Sequence, residues 1–578
     1  MFDQSIKDFP FSIKDFPFDH SAANSIRKES PVSYDYPVVY IIYSKKDKKA
    51  YVGETTNITS RISQHLTNEE KKELQNIRVV FSGYFNKSTV LDIESNLIQY
   101  MQADKQFKLL NGNAGISNHK YYQKHLYHET FKGIWDELKS EKIVKNSLLD
   151  IQNSDLFKFS PYKSLSADQM KAIEHYLHIL GKKDTRKSTV FVQGSAGTGK
   201  TILAVYLIKL LLSQVSADDL SEYSNNKHLI DLVDKVKSKI ETNGASKVNM
   251  KIALVVPMTS LRDTLKKVFR TIHGLSANMV IGPNEAAKSH FDLLIIDEAH
   301  RLRRRKNISG YGAFDQTCRD LKLDPNNKNS DELEWIMRSS DNQLFFYDEH
   351  QSVRPSDVEK DRFSSVKSTS TVLELKSQMR VAGGDDYIDF VDRLLKVDKS
   401  LQPWQSNNYD LKVFADMPVF IKALEIKENK FGLCRVISGY SWEWVSRKSP
   451  EPDTEIDGVE LFWNRTNKDW VNSTTDMTEM GCIHTTQGYD LNYAGIIFGS
   501  DIIYNKKLQK IEVVKSNYYD RNGRVGITDD QLHDYIINIY KTIMYRGIRG
   551  TYVYCYDENL REYFEGFIKL VDNISHSV

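Results

Sequence analysis

The chain has 578 residues, 40% of them apolar and 27% charged, and a formal charge of +2. One hydrophobic core does not suffice at that length, so three or four domains are expected, and a nucleic-acid partner has to be held by local basic patches because the overall charge is nearly neutral. Cys318, Cys434, Cys482 and Cys555 form no CxxC pair, no run approaches the roughly 20 apolar residues of a membrane span, and the N-terminus lacks the plan of a secretory signal; a disulfide framework, a zinc module and a membrane anchor are excluded, and a cytoplasmic protein is expected.

In chain order, "SIKDFPF" at residues 5 to 11 is repeated letter for letter at 12 to 18. A flexible tail through residue 35 is expected, with a docking peptide as the alternative. A compact α/β region follows over residues 36 to 118. It opens with "VVYIIYSKKDKKAYVGET", two β-rich runs carrying Tyr40 and Tyr51 on either side of a lysine-rich stretch. "TNITSRISQHL" then predicts a capped helix with Arg61 and His65 on one face, four residues apart. "TVLDIESNLIQYMQ" places Glu94 on the apolar stripe of a second helix, with Val90, Leu97 and Met101. An unpaired carboxylate there costs several kcal/mol, roughly, which a metal ion or an arginine would relieve. Asn111 closes the region, and residues 119 to 163 read as a helical linker.

From about Ser164 short apolar runs alternate with longer helical patterns, the mark of parallel sheets covered by helices on both faces. Two such domains are expected, residues 164 to 380 and 381 to 578, with a polar insertion at about 214 to 250. "GSAGTGKT", residues 194 to 201, follows a strand and opens a helix. Gly194, Gly197 and Gly199 let backbone N–H groups wrap phosphates, Lys200 reaches the β and γ phosphates, and Thr201 offers a hydroxyl to Mg²⁺. "LLIIDEAH" delivers Asp297 to the metal and Glu298 to the attacking water at the end of a buried strand. "FFYDEHQ" adds Asp348 and Gln351, and Arg380, Gln487, Gly488 and Arg546 also follow strand-like runs. "RLRRRK", residues 301 to 306, is either a solvated loop or a phosphate contact.

The series Gln169, Gly194–Thr201, "VVPMTSLRDTL", "DEAH", D-x-x-Q, "QMR", "TTQG" and "RG" resembles a superfamily 1 helicase of the bacterial Schlafen-like branch over residues 164 to 560. That resemblance implies two RecA-like domains with ATP in the cleft between them. Gln169 would contact adenine, Gln351 would sense the γ-phosphate, and Arg380 and Arg546 would be arginine fingers. Thr485 and Thr486 would touch the nucleic-acid backbone. Tyr545 departs from the family's small residue, so Arg549 is the alternative finger. The V-V-Y and Y-V-G motifs, with Arg61, His65, Glu94 and Asn111 behind them, resemble a GIY-YIG nuclease domain over residues 36 to 115. This second resemblance implies one divalent metal on Glu94, Mg²⁺ or Mn²⁺. Tyr40 would activate water, Tyr51 and His65 would assist proton transfer, and Arg61 would stabilise the pentacovalent phosphate. Val38 replaces the first glycine and leaves every polar group intact.

The expected fold class is thus α/β, a small GIY-YIG domain followed by two RecA-like parallel-sheet domains. The expected function is an ATP-dependent helicase or translocase with a metal-dependent endonuclease, acting on DNA in preference to RNA, in a setting of defence against phage. An ATP-gated nucleic-acid sensor with an inactive nuclease domain is the alternative.

Overall fold

The computed structural model describes residues 9–29, 36–111, 121–161, 165–182, 187–195, 197–212, 227–242, 250–272, 274–349, 351–352, 354–378, 381–466, 470–486 and 488–572. It divides into two compact units: residues 1–183 with 201–250 and 265–279, and residues 184–200 with 251–264 and 280–578. No helix among the described residues is long and apolar enough to cross a membrane.

The first unit is built on a five-stranded sheet in the order β1-β4-β2-β3-β5, formed by β1 (Ser12–Pro17), β2 (Val38–Ser44), β3 (Lys49–Thr55), β4 (Asn76–Phe81) and β5 (Lys108–Leu109). β2 and β3 are the expected antiparallel pair, with Tyr40 opposite Gly53 and Tyr51 opposite Ile42. β1 overturns the expectation of a flexible tail. The second copy of the heptad pairs antiparallel with β4, from Ser12 opposite Phe81 to Pro17 opposite Asn76. The physical reason lies in its side chains. Phe16 and Phe18 are buried in the sheet's core, and Asp15 accepts hydrogen bonds from Arg78 (3.0 Å) and from the Tyr43 hydroxyl (2.8 Å). The helix Ala22–Glu29 follows and buries Ala22 and Ile26. From the first copy, Phe9 is buried with its ring 4.8 Å from Tyr84, and its N–H donates to Thr130 Oγ1. Residues 5–8 lie outside the described residues.

The linker is likewise part of this unit. Its helices Lys124–Ser140 and Leu148–Asn153 meet the helix Lys87–Asp104 through Tyr100, whose ring packs on Trp135 and whose hydroxyl accepts from Gln152 (2.7 Å). Within the expected insertion only the helix Lys227–Thr242 and Met250 are described, and Lys239 Nζ donates to Leu180 O at the end of the helix Ala167–Gly181.

The second unit holds both large sheets. The first runs β11-β6-β10-β9-β7-β8, with β6 (Ser188–Gly194), β7 (Ile252–Val255), β8 (Val280–Ile281), β9 (Phe291–Ile296), β10 (Ser340–Tyr347) and β11 (Thr371–Leu375), every pair parallel. The second runs β14-β15-β16-β13-β17-β20-β12-β21. Its strands are β12 (Asp410–Phe414), β13 (Cys434–Ser438), β14 (Thr454–Ile456), β15 (Val459–Trp463), β16 (Glu479–Gly481), β17 (Leu491–Phe498), β20 (Gly547–Cys555) and β21 (Lys569–Val571). The edge pair β14–β15 is antiparallel and the rest are parallel; β18 (Ile502–Asn505) and β19 (Lys510–Val513) make a separate hairpin. Central strands of both sheets are buried along their length, which is why they read as unbroken apolar runs in the sequence. Parallel strands gather their C-terminal ends on one edge, where ligands of open α/β sheets are held.

Candidate active sites

In the first unit Asn57 caps the helix Ile58–Thr67 by accepting from Ser60 N–H (3.0 Å). The helix thereby turns Arg61 and His65 toward β2. Tyr40 Oη lies 2.8 Å from His65 Nε2 and accepts from Arg61 Nε–H at 3.3 Å. Gly53 makes room for this: a Cβ at that position would collide with the Tyr40 hydroxyl. Tyr51 is fully buried with its ring 4.9 Å from His65, and its hydroxyl and His65 Nδ1 have no hydrogen-bond partner. Burial, followed by the charges of Lys71 and Arg61, drives the His65 pKa down to about 2, so the ring is neutral at any working pH. The structure therefore brings Tyr40, Tyr51, Arg61 and His65 together. Asn111 serves the strand itself, accepting from Val52 N–H (3.0 Å) and donating to Val52 O (2.7 Å).

Glu94 is 7% exposed on the helix Lys87–Asp104. Burial raises its pKa to about 8, and the neighbouring Glu54 carboxylate adds to the shift, against Lys87, the Glu54 N–H and Arg61. Glu54 Oε1 pairs with Lys87 at 2.5 Å, while its Oε2 is buried with no partner. Two carboxylates side by side, one with an unmatched oxygen, suit a hard divalent cation. Mg²⁺ keeps several waters and needs only one or two carboxylates, in keeping with the absence of a three-ligand His/Cys/Asp/Glu cluster among the described residues.

In the second unit the phosphate loop follows β6, with Gly197 and Gly199 at φ 89° and 76°, the left-handed region that favours glycine. Lys200 is folded back on that loop. Its Nζ donates to Gly194 O (2.6 Å) and Ser195 O (2.9 Å) and stands 3.8 Å from Asp348. Gln351 donates to the same Asp348 carboxylate (2.6 Å). Asp297 is fully buried past the end of β9 and accepts from Glu298 N–H (3.0 Å). Glu298 lies 3.0 Å from His300 Nε2. Burial opposes its ionisation, but His300, then Lys200 and Arg546, outweigh that and hold its pKa below the usual carboxylate range. Arg546, at the start of β20, thus faces the acids across the two sheets. Arg549 is engaged elsewhere, donating to Asn492 (3.4 Å) with its guanidinium over the Phe431 ring.

A GIY-YIG catalytic domain matches residues 36–108, and the family described as Schlafen group 3, DNA/RNA helicase domain matches residues 187–557. The chain belongs to the Schlafen group 3 helicases. It is an enzyme that combines this helicase domain with an N-terminal GIY-YIG nuclease domain. This Schlafen group 3 helicase is 25% identical over 478 residues to an uncharacterised protein of Saccharomyces cerevisiae, covering 75% of this chain and 97% of that one. Among solved structures it is similar to the arterivirus nonstructural protein 10 helicase, with 12% identity and a TM-score of 0.27. That match covers 68% of this chain and 63% of the viral one, so the chain spans less than two thirds of that protein's length. A Bacteroides Pif1 bound to single-stranded DNA is 11% identical with a TM-score of 0.23, over 68% of this chain and 92% of that one.

Several expectations for the helicase half are not met or not reached. Thr485 and Thr486 are buried and spend their hydroxyls on Cys482 O (3.1 and 2.9 Å), so neither presents a hydroxyl to a strand. The arginines of "RLRRRK" are scaffold. Arg301 pairs with Asp357, Arg303 with the buried Glu332, Arg304 with Glu359 and Arg305 with Asp315. Gln169 caps its own helix, its Oε1 accepting from Ser166 N–H (2.9 Å). Thr201 stands next to Lys200 in the helix Lys200–Leu212. Arg380 and Gln487 lie outside the described residues. Glu54 and Lys71 escaped the sequence reading, as did His484, whose Nε2 accepts from Arg354 Nε–H (3.0 Å) while Arg301 stands 3.4 Å from its Nδ1. In the sequence Lys71 sits in "NEEKKEL", indistinguishable from a solvated charged turn; only the tyrosine motif just before Glu54 marks that residue.

Proposed function

We propose that this Schlafen group 3 helicase is an ATP-driven DNA translocase whose GIY-YIG domain cuts DNA with a divalent metal. The observation that carries this reading is the convergence of Tyr40, Arg61 and His65 on one oxygen, in a chain whose helicase domain also gathers Lys200, Asp348, Glu298 and Arg546. In the motor, Lys200 exchanges the loop carbonyls for the phosphates of ATP, and Asp297 holds Mg²⁺ with the Thr201 hydroxyl. Glu298 takes a proton from the attacking water, and Arg546 meets the charge that develops on the γ-phosphoryl group. Arg380, Gln169 and Gln351 keep the roles the family motif implies for them. In the nuclease, Glu94 and Glu54 would hold Mg²⁺ or Mn²⁺, which supplies Lewis acidity at the scissile phosphate. Tyr40 accepts the proton of the attacking water and Arg61 stabilises the pentacovalent phosphate. A motor joined to a cutter in the cytoplasm suits the destruction of foreign DNA such as a phage genome.

The test uses the full chain with Mg²⁺ or Mn²⁺, with and without ATP, on plasmid and forked DNA and on matched RNA. Glu94→Ala is expected to abolish cutting and keep the ATPase; Lys200→Ala is expected to abolish the ATPase. Cutting that survives Glu94→Ala would overturn the nuclease reading, and stimulation by RNA alone would overturn the choice of polymer.

A further inference from the structure

The turn after the helix Ile58–Thr67 carries a charge that the scheme above leaves unused. Lys71 is 4% exposed, whereas Glu69, Glu70, Lys72 and Glu73 around it are exposed. Its backbone is fixed on both sides: its N–H donates to Asn68 (3.2 Å), and its carbonyl accepts from the N–H of the buried Leu74 (3.0 Å). The side chain points inward, with Nζ 3.8 Å from the centroid of the Tyr51 ring. Removing an ammonium from water costs several kcal/mol, roughly. A desolvated cation–π contact returns about 2 kcal/mol of that. A lysine that merely closed the turn would leave its head in solvent, as Lys72 does.

The groups that face His65 are Tyr40 from β2, Tyr51 from β3, Arg61 from its own helix and Lys71 from the turn. The two charged ones are both cations. With the imidazole neutral, one ring nitrogen carries a proton and the other accepts. If Nδ1 carried it, a buried N–H would stand without a partner; if Nε2 carries it, the unmatched atom is an acceptor, and buried N–H groups go unmatched more rarely. Nε2–H then donates to Tyr40 Oη, alongside Arg61 Nε–H. Two donors on one oxygen, in a positive field, favour the anion of a phenol whose pKa in water is about 10.

We propose that Lys71 is a positioning residue of the nuclease: its ammonium, seated on the Tyr51 ring, is the second fixed positive charge after Arg61 that biases Tyr40 toward the phenolate, with His65 serving as hydrogen-bond donor and not as proton acceptor. The inference deepens the nuclease reading and depends on it. In the step it describes, the water O–H bond breaks, its proton passes to the Tyr40 oxygen, and the hydroxide pair attacks phosphorus; His65 gains and loses nothing.

Plasmid cleavage by the full chain in Mg²⁺ is followed from pH 5.5 to 9.5 for wild type, Lys71→Met and Lys71→Arg. Lys71→Met is expected to cut about tenfold more slowly near neutral pH, with the rising limb of its pH profile displaced upward so that the deficit narrows in alkali. Lys71→Arg keeps the charge and is expected to restore the wild-type limb. A second readout needs no turnover: in metal-free protein carrying ¹³C-labelled histidine, with the His65 signal assigned by its loss in His65→Asn, that signal should stay still from pH 5 to 8 in wild type and begin to titrate in Lys71→Met. A Lys71→Met enzyme with the wild-type rate and limb would overturn the proposal, as would a lower rate with an undisplaced limb. Should Lys71→Met fail to fold, Lys71→Gln is read in its place against the same criteria. A wild type that cuts at no pH overturns the nuclease reading instead, and the histidine signal still decides whether Lys71 sets the state of His65.

Discussion

Gly53 shows how a motif letter turns into geometry. It faces Tyr40 across the β2–β3 pair, and any Cβ would occupy the place of the tyrosine hydroxyl. Gly53→Ala is therefore expected to displace Tyr40 from His65, to lose cutting and to cost about 1–3 kcal/mol of stability; plasmid cleavage and thermal unfolding read the two effects. Glu94 gives a pH dependence whose sign is fixed. Its pKa is raised from 4.5 to about 8 in the folded chain, so between those values the folded state holds a proton that the unfolded chain has released, and stability falls as pH rises. The metal-free protein should lose thermal stability from about pH 5 to 8, less steeply in Glu94→Gln, and Mg²⁺ or Mn²⁺ should flatten the slope by favouring the ionised carboxylate. Glu94 was legible in the sequence because a carboxylate on an apolar stripe is anomalous there. Lys71 and His484 were not, because burial of a lysine in a charged turn, or a histidine between two guanidinium groups, depends on residues brought together from elsewhere in the chain.

Elements were legible wherever their periodicity was local. The capped helix from Ile58, the buried strands and the phosphate loop all stand where the text puts them. β1 escaped because six residues ending in proline look like a tail; what makes them a strand is the open edge of β4, some 60 residues away. Deleting residues 1–20 should therefore expose that edge, strand Arg78 without Asp15, and lower the unfolding midpoint of the first unit by several degrees, about 4–8 °C per kcal/mol for a small domain. Deletion of residues 1–4 should leave it unchanged. The arginine run was seen as charge but not as scaffold, since its carboxylate partners lie 10 to 56 positions onward. Arg303→Ala should destabilise by about 1–3 kcal/mol by leaving the buried Glu332 unmatched, with no change in the salt slope of DNA binding measured by titration.

On the scale of the molecule, two parallel sheets in one compact unit bring residues 546 and 298 within electrostatic reach. Alternation of strands and helices announced the sheets; the strand orders, with β6 between β11 and β10, had no local signal. His484 belongs to the second sheet's "CIHTTQG" segment and Arg354 to the loop after β10 of the first, so their 3.0 Å contact ties one sheet to the other. Arg354→Met is expected to keep the basal ATPase and to lose its stimulation by single-stranded DNA, read as the ratio of turnover with and without the oligonucleotide.

The duplicated heptad carries an arithmetic consequence. Excising residues 5–11 and excising residues 12–18 yield one and the same polypeptide. That shortened molecule owns a single Phe-Pro-Phe, which must either lie along β4 or lodge its aromatic ring between Tyr84 and Tyr127. The seat it takes ranks the two attachments, and the vacated one reveals what the extra seven residues were recruited to hold.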